Sequence, residues 1–100
     1  MSEKRILSLI SLSARANKLV TGEEQAEKSL KKGEACLVII TEDASENTKT
    51  KFINKCFFYK KPIKIFGERT TMSKCVGKNN RAVYTVTDEK LAENLQILID

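Results

Sequence analysis

The chain contains no histidine, three cysteines and one proline in 100 residues. Without histidine it lacks the commonest general acid or base, and the usual partner of a nucleophilic cysteine or serine. Carboxylates and lysines remain, so this absence weighs against an enzyme without excluding one. Cys36, Cys56 and Cys75 are odd in number and widely spaced, form no C-x-x-C pair, and have no histidine to complete a metal set. They read as reduced, mostly buried thiols, and no metal or other cofactor is expected. No apolar run approaches the ~20 residues a membrane helix needs, so no membrane partner is expected either. The opening MSEKRILSLISLSARANK does set Lys4 and Arg5 before an apolar segment, as a signal peptide would. However, Ser8, Ser11 and Ser13 break that segment in a helical rhythm, and Arg15 stands where a small-residue cleavage site belongs. The segment reads as a helix of a cytoplasmic protein.

Repeats, linkers and low-complexity stretches are missing too, and residues 1–100 suit one domain that buries roughly 60–70% of its unfolded surface. The net charge of +5 is unevenly placed. Residues 1–50 hold eight basic and eight acidic side chains, whereas residues 51–100 hold ten against five. From Lys49 to Arg81 ten basic residues face only Glu68. Such a segment sets up a positive potential suited to a polyanion, although lysines also serve simply to solvate small domains.

Ile6, Leu7, Leu9, Ile10 and Leu12 recur at helical spacing, which predicts a helix from Ser2 to about Ala14. A short edge strand follows at 18–20, then a helix from Gly22 to Lys32 stopped by Gly33. EACLVIIT, residues 34–41, is a continuous apolar run and predicts a central strand buried on both faces. Asp43 and Ser45 are cap candidates for a third helix, with Phe52, Ile53, Cys56 and Phe57 at helical spacing and an end near Lys60. Pro62 marks the exit into the strand PIKIF. Thr70 or Thr71 caps a short helix through Cys75 that Gly77 stops, GKNNR is a loop, AVYTVT is a strand, and Asp88 caps a last helix with Leu91, Leu95, Leu98 and Ile99. The order α-β-α-β-α-β-α-β-α predicts an α/β fold. It is a three-layer α-β-α sandwich whose central four-stranded sheet is mixed, because the short first strand can pair antiparallel.

Three stretches, GEEQAEKSLKKGEACLVIITED, KCFFYKKPIKIF and MSKCVGKNNRAVYTVTD, together resemble the ribosomal-protein family that binds kink-turn RNA, the L-seven-Ae/L-thirty-e family. The likeness spans residues 16 to 90 without large gaps. It is nearest to the small bacterial YlxQ-like members, which share the Gly-Glu-Glu opening, an Asp-Ala-Ser-x-Asn-Thr stretch and a Gly-Lys loop. The resemblance implies an RNA site where the amino end of the second helix meets the loop before the last strand. The family opens that helix with Gly-x-Asn-Glu-x-x-Lys or Gly-x-Lys-Gln-x-x-Lys. Gly22, Gln25 and Lys28 match this pattern, Gln25 in its second form. Glu24 departs from it by placing an acid where an amide or ammonium often faces RNA, and Glu23 adds negative charge beside it. The loop Gly77-Lys78-Asn79-Asn80-Arg81 is polar where archaeal relatives are apolar, which implies a weaker grip on an extruded base and more reliance on phosphates. The RNA-binding set implied is Gly22, Glu23, Glu24, Gln25, Lys28, Gly77, Lys78, Asn79 and Arg81, with Lys74 as a lesser candidate.

Each of these residues also has a plain structural reading. Thr21 and Glu24 fit a capping box, and Glu23 and Glu24 complement a helix dipole. Gly77 suits a helix terminator with positive φ as well as a close approach to RNA. Lys78 and Arg81 are loop charges suited to solvent or phosphates. Phe57, Phe58 and Tyr59 could stack bases but read as packing residues. In the RNA role, Gly22 leaves the helix amides open to phosphates, Gln25 reads a guanine edge, and Lys28 donates to guanine O6 or N7. The function expected is non-catalytic binding, by a monomer, of a kink-turn in ribosomal or other structured RNA, as part of the ribosome or another ribonucleoprotein. A protein-interaction adaptor with a weakened RNA site is the alternative. A nucleotide site built on Glu42, Asp43 and Ser45 after the central strand is a third, more distant one.

Overall fold

The computed structural model describes residues 3–99, so Ser2, which the periodicity assigns to the first helix, lies outside the described residues. The elements are α1 (Glu3–Arg15), β1 (Leu19–Thr21), α2 (Glu23–Lys32), β2 (Leu37–Ile40), α3 (Glu46–Tyr59), β3 (Ile63–Ile65), α4 (Arg69–Cys75), β4 (Val83–Val86) and α5 (Glu89–Leu98). Their order is the one expected from the sequence. The strands form one mixed sheet in the order β1-β4-β2-β3. β1 and β2 flank β4 antiparallel, and β3 runs parallel to β2.

Strand alternation divides the interior into two cores. Leu37 and Ile39 of β2 face one side with Tyr84 and Val86, under Ile6 and Ile10 of α1, Met72 of α4, and Ala92 and Leu95 of α5. Val38 and Ile40 face the other side with Val83, under Ala26 and Leu30 of α2 and Phe52 and Cys56 of α3. Side chains two apart share a sheet face, so one four-residue apolar strand supplies both layers, and all four of its residues are buried.

The caps follow local chemistry in three of the helices. Ser45 accepts the Thr48 amide at 3.1 Å and Asp88 accepts the Leu91 amide at 3.0 Å. Gly33 takes the left-handed conformation beyond α2. α4 departs from expectation, because its N-cap is Glu68 rather than a threonine. Asp43, from the loop after β2, reaches across to accept the Arg69 amide at 3.1 Å, and a neighbouring loop thereby fixes where α4 starts.

Some residues expected inside are outside. α3 buries Phe52 and Cys56, whereas Ile53 is half-exposed and Phe57 and Phe58 are 86% and 75% exposed. Leu12 of α1 is also exposed. Tyr59 alone of the aromatic trio packs against a core. A helix over one sheet face buries one stripe, and Phe52 and Cys56 already occupy it.

Candidate nucleic-acid interface

The expected capping box at the start of α2 does not form. Thr21 is the last residue of β1, paired with Tyr84 of β4, so its backbone belongs to the sheet. Gly22 is the N-cap, at φ 97° and ψ 158°, and no side chain caps the helix. Its own amide donates to the Val83 carbonyl at 2.8 Å. The chain leaves β1, bends at Gly22 and enters α2 within one residue, through a backbone region that essentially only glycine occupies. The first-turn N–H groups thus stand without a side-chain partner at the positive end of the helix dipole.

An open groove of about 720 Å³ surrounds this helix end, lined by Asn17, Gly22, Glu23, Glu24, Gln25, Lys78 and Arg81 among others. A smaller one of about 290 Å³ adjoins it, sharing Gly22, Glu23 and Arg81 and adding Ser45, Thr48, Arg69 and Asn80. Arg81 hangs over the bend: a Cβ on Gly22 would lie 3.7 Å from its Nη1. The Arg81 backbone is held from beneath. Its amide donates to Ser73 Oγ at 2.7 Å, and its carbonyl accepts from the Tyr84 hydroxyl at 2.9 Å.

The acids of the first turn have separate roles. Glu23 turns away toward α3, where its carboxylate accepts from Thr48 Oγ1 and from Lys51 Nζ, each at 3.1 Å. Lys51 also reaches Glu27 at 2.7 Å. That hydrogen bond holds the Glu27 carboxyl below its ordinary range, and the same contact, with help from Glu23, pushes the Lys51 ammonium up. Glu24 stays largely in solvent and pairs loosely with Lys28 at 3.8 Å.

The sequence-predicted set therefore divides. Gly22, Glu23, Glu24, Gln25, Lys78 and Arg81 converge on the larger groove. Lys28 lines a different one, of about 250 Å³, between α2 and α3, with Glu24, Glu27, Lys31, Lys55 and Tyr59. Gly77, at φ 72°, has open space around its Cα, and it, Lys74 and Asn79 line neither groove at the helix end. Arg69 and Asn80 belong to the smaller groove and lie outside the set that the family resemblance implies. Arg69 donates to the Asp43 carbonyl at 3.0 Å and to Asn80 Oδ1 at 3.5 Å, linking the loops after β2 and α4. Nothing in its own neighbourhood of the sequence announces that role. In the loop after β2, Asp43 and Ser45 are engaged structurally: Asp43 anchors Arg69 and Ser45 caps α3.

Among the described residues no helix is long and apolar enough to cross a membrane, and no group of three or more His, Cys, Asp or Glu is placed to hold a metal. The thiols are free, and burial raises Cys56 to about 11.

An α-β-α sandwich that presents an uncapped helix amino end beside an arginine and a lysine defines a class of domain suited to anionic ligands. The chain belongs to the ribosomal protein L7Ae/L30e/S12e/Gadd45 family, whose model matches residues 4–96. It is 40% identical over 100 residues, the full length of both chains, to RNA-binding protein YlxQ of Bacillus subtilis. To RNA-binding protein YlxQ of Enterococcus faecium it is 34% identical, over 99% of this chain and 95% of that one. A solved Bacillus halodurans protein of unknown function has a TM-score of 0.91 at 42% identity, covering 95% of this chain and 96% of that one. The Giardia lamblia 15.5kD RNA binding protein shares the fold, with a TM-score of 0.75 at 18% identity over 93% and 86% of the two chains.

Proposed function

We propose that the protein binds structured RNA without catalysis, in the cytoplasm of a bacterium, and recognises a kink-turn or a similarly bent internal loop of ribosomal or other ribonucleoprotein RNA. One observation carries this reading. The uncapped amino end of α2 and the cations Lys78 and Arg81 share one open groove, with Gln25 projecting into it. Membership of the family and the RNA-binding names of the YlxQ relatives support it.

A kink-turn brings two backbones together beside sheared G·A pairs. The first-turn amides of α2 meet acceptors at the bend, with Gly22 contributing no side chain to hold the RNA away. Gln25 both donates and accepts, so it can read a purine edge. Arg81, Lys78 and Arg69 hold phosphates. Lys28, one turn further along α2, takes the flanking strand from the neighbouring groove. Recognition is then mainly of shape, with few bases read.

Gel-shift titration of a kink-turn RNA, and of a version lacking its G·A pairs, at two salt concentrations tests the reading. Selective, salt-sensitive binding that weakens in Gln25→Ala and Lys28→Ala is expected. Equal binding to both RNAs would leave only general electrostatics. No binding at all would favour a protein-interaction adaptor, a role that the exposed Glu24 carboxylate in the groove would suit.

A further inference from the structure

We propose that the carboxyl end of α3 carries a second nucleic-acid contact, one that takes an unpaired strand. Phe57 and Phe58 stack its bases, and Lys60 and Lys61 hold its phosphates. This site is separate from the groove at Gly22. Ser45 and Thr48 at the start of α3 border that groove, and a 14-residue helix carries Phe57 and Phe58 about 20 Å away, toward its other end.

Two adjacent phenylalanines, 86% and 75% exposed, are unusual on a small domain whose other large side chains mostly fill two cores. Their helix is anchored from inside by Phe52 and Cys56, so the exposed rings add nothing to its packing. Phe58 is held edge-on to Tyr59, with ring centroids 4.9 Å apart and planes at 89°. Tyr59 in turn packs against the core, which gives the Phe58 ring a supported orientation.

Charge identifies the occupant. Between Glu46 and Glu68 every charged side chain is a lysine. Lys51 is engaged by Glu23 and Glu27, and Lys49 by Glu46. Among the described residues Lys55, Lys60 and Lys61 form no ion pair. Asp88 and Glu89, at the start of α5, lie at the same end of the sheet as Lys61, since all three bear on the Cys36 thiol, but among the described residues they form no ion pair with that lysine. Aromatic rings framed by unpaired cations are the combination that grips single strands, through stacking and phosphate attraction.

Geometry disfavours the other occupants. A partner helix is usually read through side chains three and four apart. Ile53 and Phe57 do stand four apart on α3, but Phe58, the other large exposed ring, lies about 100° around the helix from Phe57, off that stripe, so the two rings present separate faces suited to two separate bases. The adjacent edge strand β3 is only three residues long and carries Lys64 at its centre, which discourages strand addition.

Fluorescence anisotropy with a labelled ten-nucleotide oligouridine separates this site from the groove at Gly22. Wild type should bind it, and Phe57→Ala with Phe58→Ala should weaken that binding about tenfold or more, with the circular dichroism unchanged. Lys60→Gln with Lys61→Gln should lower the salt slope by about 0.7 per lysine. Arg81→Ala should leave oligouridine binding intact while reducing binding of a blunt kink-turn RNA. Failure of the kink-turn reading would appear only in that last comparison. Oligouridine binding that is undetectable, or the same with and without the two rings, overturns the proposal. If the double-alanine protein instead loses an acidic protein partner while keeping oligouridine affinity, the surface is a protein site and the proposal falls.

Discussion

The hydroxyls of Ser73 and Tyr84 stand 2.9 Å apart, both buried, directly beneath the backbone of Arg81. Each hydroxyl has one proton, and the three groups close a ring. The Arg81 amide donates to Ser73, the Ser73 hydroxyl donates to Tyr84, and the Tyr84 hydroxyl donates to the Arg81 carbonyl. Every polar group of this ring is satisfied, and Arg81, in the loop before β4, is fixed against α4. Tyr84→Phe leaves the Ser73 hydroxyl and the Arg81 carbonyl only their own longer contact of 3.4 Å, and should cost about 1 kcal/mol in urea unfolding. Ser73→Ala should cost a similar amount. The double variant should lose less than the sum, because both singles break the same ring.

This ring also shows what the sequence could not convey. Helix order, the Ser45 and Asp88 caps and the buried strand β2 are local features, written in spacing and cap chemistry, and they read directly. The Thr21–Glu24 capping box was also a sound local pattern. It fails because Thr21 is claimed by β4, a strand far along the chain. Phe57 and Phe58 read as packing residues because helical spacing cannot say how wide a stripe the sheet will cover. The role of Arg69 is not legible locally, because it exists only once Asp43 and Asn80 stand beside it. Gln25 and Lys28 share a helix face in projection, yet α3 places Lys28 in its own groove with Lys55 and Tyr59.

Gly22 is where backbone conformation decides. At φ 97° and ψ 158° an alanine is strained, although its Cβ would meet Arg81 only at an ordinary 3.7 Å. Gly22→Ala should therefore destabilise by about 1–3 kcal/mol through the backbone alone. A domain of this size would lose about 4–8 °C of Tm per kcal/mol. Gly33→Ala, in the left-handed region with open space around it, is the control and should cost about 1 kcal/mol or slightly more. A thermal melt of both proteins checks the difference, and a fall in RNA affinity confined to the Gly22 variant would tie the bend to binding.

The Lys51 bridge between α2 and α3 gives stability a pH signature. The Lys51 hydrogen bond lowers the Glu27 carboxyl from an ordinary 4.5, so its contribution is present above that value and fades as pH falls through the folded pKa. Lys51 itself is raised from 10.5 by Glu27 and then Glu23, so its contribution is present below 10.5 and fades as pH rises beyond it. Urea midpoints should form a plateau between these limits and decline on both sides. Lys51→Met should flatten both shoulders, and high salt should mimic it in part, because the groups are exposed and screened.

Glu24 supplies the sharpest test of how the groove handles charge. Its carboxylate is 82% exposed, lines the groove beside Gln25, and loosely neutralises Lys28 at 3.8 Å. An approaching phosphate meets a negative charge there and a cation already partly engaged. Glu24→Gln removes the repulsion and frees Lys28 without disturbing a cap, since no side chain caps α2. One unit of charge a few ångströms from a phosphate in water is worth about 1 kcal/mol, or about fivefold in affinity. Gel shifts at low salt should therefore show Glu24→Gln binding kink-turn RNA about fivefold tighter, with the gain shrinking at high salt. Weaker binding in this variant would mean that the carboxylate accepts a hydrogen bond from the RNA, and would reverse the role assigned to it.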